Sequence, residues 1–178
     1  VFLKLRGQRA VLAGGSDAAA WKAELLSAAG AHVDVFAHDA SAEMREVAAA
    51  PPLGPIRIVA RDWRPEDLEG AAIAVGALVD EGDGKAFGAA ARKFGVPVNV
   101  VDRPELCQFQ FGSIVNRSPL VVAISTDGGA PVFGQAIRSW LEALLPRGFQ
   151  RWADAAKSWR KEGSRLGATM SERRRFWE

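Results

Sequence analysis

Cysteine occurs once in the 178 residues, at Cys107, which excludes an internal disulfide and fits a reducing compartment. Without a spaced partner, that thiol offers no structural zinc site either. Histidine is nearly as scarce: His32 and His38 stand together early in the chain, and no Ser-His-Asp arrangement is evident. No apolar run reaches the roughly 18 residues that suit a membrane span. Val1 opens no basic, apolar leader, so the expectation is a cytoplasmic protein. The lack of an initiating Met and the charged end at Glu178 read as a piece of a longer chain. Internal repeats, low-complexity stretches and nucleic-acid motifs are missing too.

What is present is 48% hydrophobic and 25% charged residues, the balance of a globular protein with one ordinary domain or a small one plus a helical piece. Charge is unevenly placed. From Leu144 onward nine Lys or Arg stand against four Asp or Glu, leaving the tail about +5 and the remainder about −3. Such a tail reads either as a solvated helix face or as an attractor for an acidic small molecule.

Arg9 to Ala13 is a short apolar run that stops at Gly14-Gly15-Ser16-Asp17. Ala18 to Ala29 follows, rich in Ala and Leu, and ends at Gly30. This is strand, tight turn, helix and glycine stop. A second strand starts at Val33 and Val35, which completes a βαβ unit. Further strands are read at Ile56 to Ala60, Ala71 to Leu78 and Val96 to Val101, with a helix over Lys85 to Phe94 closed by Gly95. The alternation implies a doubly wound parallel sheet. After Asp102 the pattern changes. Ser113 to Val115 and Leu120 to Ser125 read as strands around the turn Asn116 to Pro119. A helix opens at Pro131 with Phe133, Ile137, Trp140, Leu141 and Leu144 on one face. From Phe149 the chain reads as helical to its end. Two strands alone have little core, so this region is expected to dock, with a second copy as a natural partner.

The turn Gly14-Gly15-Ser16-Asp17-Ala18-Ala19 is a degenerate dinucleotide fingerprint, whose glycines let backbone N–H groups approach a pyrophosphate at a helix N-terminus. The alternative is a plain strand-to-helix turn, and the position between a strand and a helix of the first βαβ unit favours the nucleotide reading. A ribose-binding acid is due about 20 residues on; His38 and Asp39 are the nearest candidates, and Asp39 would favour NAD over NADP. The same residues also suit a cap for a helix over Ala42 to Ala50. Asp102 closes the fifth strand, at the edge where open α/β sheets hold ligands, and could accept a substrate proton, or it is a loop cap before Arg103-Pro104. Asn99 either orients a ligand or bonds the backbone. Ser125 and Thr126 begin a second glycine-containing loop that could hold an anion or simply cap a helix. No metal-holding set is assigned.

Four stretches in order, VLAGGSDAAAWKAELLSAAGAHVDV, VNVVDRPELCQF, SIVNRSPLVVAIST and SERRRFWE, resemble siroheme synthase over nearly the whole chain. The resemblance implies an NAD-binding Rossmann domain over 1–111, a small α+β dimerisation region over 112–145 whose elements cross between subunits, and a C-terminal helical segment over 146–178. In fused enzymes that segment leads to a uroporphyrinogen methyltransferase module. The implied activity is oxidation of precorrin-2 to sirohydrochlorin with NAD, then ferrous iron insertion giving siroheme, in a homodimer. Asp102 matches the aspartate implicated in both steps. Asp17 and Ala18 match cofactor-phosphate positions, with Gly14, Gly15 and Ser16 in the same turn, and His38 and Asp39 match positions near the adenosine ribose. Thr126 matches a serine of some relatives that lines the tetrapyrrole site and can be phosphorylated. The basic tail would then hold substrate carboxylates. Three features depart from the pattern. Ser16 and Gly112 replace a glycine and a proline, and Ala77 to Gly82 is a looser form of a threonine- and acid-rich cofactor loop. Those departures leave open two alternatives: a chelatase alone, for iron or cobalt, and a non-catalytic sensor of tetrapyrrole or nucleotide.

Overall fold

Apolar runs cut by glycine decide the first half of the chain. The computed structural model describes residues 3–117, 120–126, 130–145, 148–165 and 169–177. Strands β1 (Arg9–Ala13), β2 (His32–Phe36), β3 (Ile56–Val59), β4 (Ile73–Gly76) and β5 (Val98–Val100) pair in parallel in the order β3-β2-β1-β4-β5. Every residue of β4 and β5 is buried, as strands covered on both faces must be. The chain steps outward from β1 to β3, then returns to the other side of β1. That reversal puts a topological switch point between β1 and β4.

Helices α1 (Asp17–Ala28) and α2 (Ala42–Ala49) link the first three strands and pack on each other, while α3 (Glu81–Lys93) links β4 to β5. Right-handed crossovers place the first two and the third on opposite faces. Phe87 of α3 anchors the core on its side with Leu68, Val11 and Val98, and Trp63 meets Phe87 edge-on at 4.9 Å between ring centroids. Strand β4 is shorter than the sequence predicts: beyond Gly76, Ala77 still donates its N–H to Ala13 O at 2.8 Å, and it and Leu78 line a cleft. Helix α3 starts earlier than Lys85, because the Asp80 carboxylate accepts from the Asp83 N–H at 2.8 Å and caps it.

Two ion-paired carboxylates tie this unit together. Asp34 on β2 accepts from Arg9 Nε of β1 at 2.8 Å and from Arg57 Nε of β3 at 2.9 Å. Burial alone would raise its pKa, but the hydrogen bonds and charges of Arg57 and Arg9 hold it below the usual carboxylate range. Asp67 receives both guanidinium nitrogens of Arg61 at 2.7 Å and the Arg64 N–H at 2.7 Å, and these, led by Arg61, depress its pKa. Both groups therefore stabilise the fold above their unfolded value of about 4. The contribution is lost as pH falls through their lower folded values. Asp67→Asn is expected to cost about 1 kcal/mol at neutral pH and progressively less below about pH 4. Urea midpoints across that range check this, and a difference that stays constant with pH would remove the ionic contribution.

A second unit begins at Phe111, the first ending at Gln110. Here β6 (Ser113–Arg117) and β7 (Leu120–Ile124) form an antiparallel pair against which α4 (Pro131–Leu144) packs. Strand β6 runs through Asn116 and Arg117, where the sequence reads a turn; Ser118 and Pro119 lie outside the described residues. Arg117 donates to the carbonyls of Leu145 at 2.6 Å and Glu142 at 3.2 Å, a cation on the C-terminus of α4. On α4, Ile137 and Leu141 are half-buried while Phe133, Trp140 and Leu144 are exposed. Helices α5 (Phe149–Arg165) and α6 (Met170–Trp177) follow. No helix among the described residues is long and apolar enough to cross a membrane.

Candidate functional site

The carboxyl ends of β1, β4 and β5 open on one cleft of about 400 Å³. Ser16 and Ala18 line it from beyond β1, Ala77, Leu78 and Val79 from beyond β4, and Val101, Asp102 and Arg103 from beyond β5. It lies at the switch point, where parallel sheets bind ligands.

The β1–α1 turn is held from below. The Gly14 N–H donates to the Phe36 carbonyl at 2.9 Å, and the Ser41 N–H to the Gly15 carbonyl at 2.8 Å. Ser16 is the N-cap of α1, its hydroxyl accepting from the Ala19 N–H at 3.3 Å. The N–H groups of Asp17 and Ala18 have no partner within the helix and are available to an anion. The exposed Asp17 carboxylate in the same turn opposes one.

At the end of β2, Phe36 is buried under the Arg61 guanidinium, 4.7 Å from its ring centroid. His38 and Asp39 beyond it are exposed, with His38 Nε2 3.8 Å from Asp62. Neither lines the cleft, but the Asp39 backbone packs against Gly15, so both stand beside the turn.

Asp102 has φ 60 and is the one described non-glycine residue with positive φ. Asp tolerates this region better than most residues, through its short polar side chain. Hydrogen bonds flank it on both sides, from the Val101 N–H to the Gly76 carbonyl at 2.8 Å and from the Arg103 N–H to the Val100 carbonyl at 3.2 Å. The exposed side chain stands on the cleft rim. Residues after it fold back on β5. The Cys107 sulfur accepts from the Val100 N–H at 3.3 Å and lies 3.2 Å from the carbonyls of Val100 and Arg103. Asn99, buried, donates its amide to Phe109 O at 2.9 Å and to the same sulfur at 3.3 Å. Its amide nitrogen thus serves the chain, and Asn99 is not among the residues lining the cleft.

Lys22 escaped the sequence reading. It stands one turn beyond cleft-lining Ala18 on α1, and that i, i+4 spacing was the available signal. Burial lowers its pKa, against the pull of Asp102 and Cys107, which puts its ammonium within electrostatic reach of the rim carboxylate. Ser125, exposed, and Thr126, half-buried, belong to the second unit just after β7. The rest of their loop, 127–129, lies outside the described residues, and Ala130 at the start of α4 gives no side-chain cap.

A family described as "Putative NAD(P)-binding" matches residues 1–113. The chain belongs to this family. Among curated relatives, siroheme synthase from Nitrosomonas eutropha is 39% identical over all 178 residues, and siroheme synthase 2 from Yersinia pestis is 42% identical over the same span. The resemblance carried by the four stretches therefore extends over the whole chain. The match spans 37% of each of those relatives, so the chain corresponds to little more than a third of their length. The solved structure "SirC, precorrin-2 dehydrogenase" superposes with TM-score 0.68 at 24% identity, covering 96% of this chain and 83% of that one. That likeness establishes a shared fold.

The NAD(P)-binding domain has a donor set suited to a dinucleotide. The open N-terminus of α1 offers N–H groups to a pyrophosphate. Ala18, Ala77, Leu78, Val79 and Val101 supply the apolar lining of the cleft, and Ser16, Asp102 and Arg103 its polar groups.

Proposed function

We propose that this chain is the part of a siroheme synthase that oxidises precorrin-2 to sirohydrochlorin with NAD, then assists entry of ferrous iron to give siroheme. The observation that carries this reading is Asp102, an acid on the rim of the switch-point cleft, in a chain similar to siroheme synthases from end to end. Bound at the α1 N-terminus, NAD supplies the hydride acceptor. Gly14, Gly15, Ser16, Asp17 and Ala18 form its pyrophosphate turn, and His38 and Asp39 stand on the ribose side, Asp39 favouring a free 2′-hydroxyl over a phosphate. Asp102 acts as general base. Dehydrogenation releases a proton from the macrocycle, iron entry releases two pyrrole N–H protons, and one carboxylate can accept in each step. Asn99 supports that carboxylate by fixing the loop behind it. Ser125 and Thr126 stay in the proposal as tetrapyrrole-lining residues on the family resemblance alone. Residues 112–145 are proposed as a dimerisation region. The helical segment over 146–178 is proposed to contribute cations for substrate carboxylates and to lead to a methyltransferase module in a longer cytoplasmic protein.

Anaerobic incubation of the chain with precorrin-2 is expected to give sirohydrochlorin absorbance only when NAD is added, followed by the siroheme spectrum on adding ferrous iron. Calorimetric titration with NAD runs beside it. Absence of NAD binding at millimolar concentration, with iron or cobalt insertion intact, would leave a chelatase. Tetrapyrrole binding without turnover would leave a sensor.

A further inference from the structure

Arg103 does more than follow Asp102. Its two terminal nitrogens donate to successive backbone carbonyls across the cleft, Leu78 O at 2.9 Å and Val79 O at 3.0 Å. Those carbonyls belong to the loop between β4 and α3, and Leu78, Val79 and Arg103 all line the cleft. Leu78 packs against the core, whereas Val79 beside it is 99% exposed and is held through its carbonyl. The fork needs room, and Gly84 in the first turns of α3 provides it: a Cβ there would lie 2.9 Å from one Arg103 nitrogen and 3.2 Å from its guanidinium carbon.

The geometry points to Arg103 as a positioning residue that locks the β4–α3 loop as one wall of the dinucleotide cleft and thereby sets dinucleotide affinity. It acts through Leu78 and Val79. Ordering the loop before the ligand arrives removes that entropic cost from binding. A planar guanidinium spans two carbonyls at once, whereas an ammonium is a point donor. The inference rests on reading this cleft as the NAD site.

The test uses the full chain, with NAD and NADH as probes titrated by calorimetry and nicotinamide fluorescence. Arg103→Ala is expected to raise the NAD Kd about five- to tenfold, the effect of two lost hydrogen bonds, and Arg103→Lys to recover part of the loss. Gly84→Ala crowds the end of the guanidinium and shifts it from its place on the carbonyls, and is expected to raise Kd by less than Arg103→Ala does. Yet Ala in place of Gly inside a helix favours the fold, so its melting temperature should hold or rise. A merely structural role would weaken binding and stability together. The double variant Arg103→Ala with Gly84→Ala should be no weaker than Arg103→Ala alone, because both act on one contact. Wild-type affinity in both single variants, or additive losses in the double, would overturn the inference while sparing the NAD reading. Failure of the wild-type chain to bind either probe would overturn both.

Discussion

Asp102→Asn is expected to slow precorrin-2 oxidation by about 10²–10⁴-fold, the usual contribution of a positioned general base, and to slow iron insertion by less. The smaller second effect follows from the chemistry. Pyrrole N–H protons displaced by an arriving cation can pass to water, whereas the cation left by hydride departure is relieved of its proton most readily by a positioned base. Asn suits the test because it tolerates left-handed backbone as Asp does, so the turn at φ 60 should survive. Asp102→Ala removes the same charge but puts a residue without a polar side chain into that backbone, adding about 1–2 kcal/mol of strain. The pair separates charge from conformation: both variants should lose activity, and only the Ala variant should also lose stability. Initial rates from NADH absorbance and melting curves give both readouts. Oxidation rates within about threefold of wild type in the Asn variant would remove Asp102 from the machinery.

The parallel sheet was readable because its strands are short apolar runs, with glycine ending the first and third helices, Gly30 and Gly95 both having positive φ. Asp102 could be placed on the ligand-binding edge for the same reason: an acid directly after a buried strand of a parallel sheet has one place to be. What the sequence concealed depends on long side chains and on approaches between distant segments. Arg103 reads as a loop residue before a proline, and its landing on Leu78 and Val79, 24–25 residues away, follows only once β4 and β5 lie side by side. Asn99 admitted a ligand role or a backbone role. Its amide goes to Phe109 and Cys107 because Pro104–Leu106 form a 3-10 turn that brings the chain back, and no hydrophobic period marks such a turn. The lone cysteine looked uninformative, yet its sulfur joins β5 to the loop behind Asp102. On α4, the apolar stripe is only partly covered among the described residues: Ile137 and Leu141 are half-buried, while Phe133, Trp140 and Leu144 are exposed.

Gly14→Ala is expected to destabilise the first unit by about 2–4 kcal/mol and to abolish dinucleotide binding, because two independent costs meet at one position. Gly14 has φ 111, which an L-residue side chain resists, and a Cβ there would overlap the carbonyl oxygen of Ala77. The obstacle is backbone, so no rotamer change relieves it. Neither side can yield cheaply. The Gly14 N–H is bonded to Phe36 O at 2.9 Å, and the Ala77 N–H to Ala13 O at 2.8 Å, so retreat breaks a bond at the end of β2 or of β1. Ala77 is itself a wall of the cleft, and its displacement carries the β4–α3 loop away from the α1 N-terminus. Gly70 is the control, with φ 71 but nothing within 4 Å of an added Cβ. Gly70→Ala should therefore cost about 1 kcal/mol of backbone strain and leave binding intact. At about 2–4 °C per kcal/mol for a chain of this size, thermal melts resolve the two variants. Equal losses would mean that the close approach of β1 and β4 at this turn carries no energetic weight.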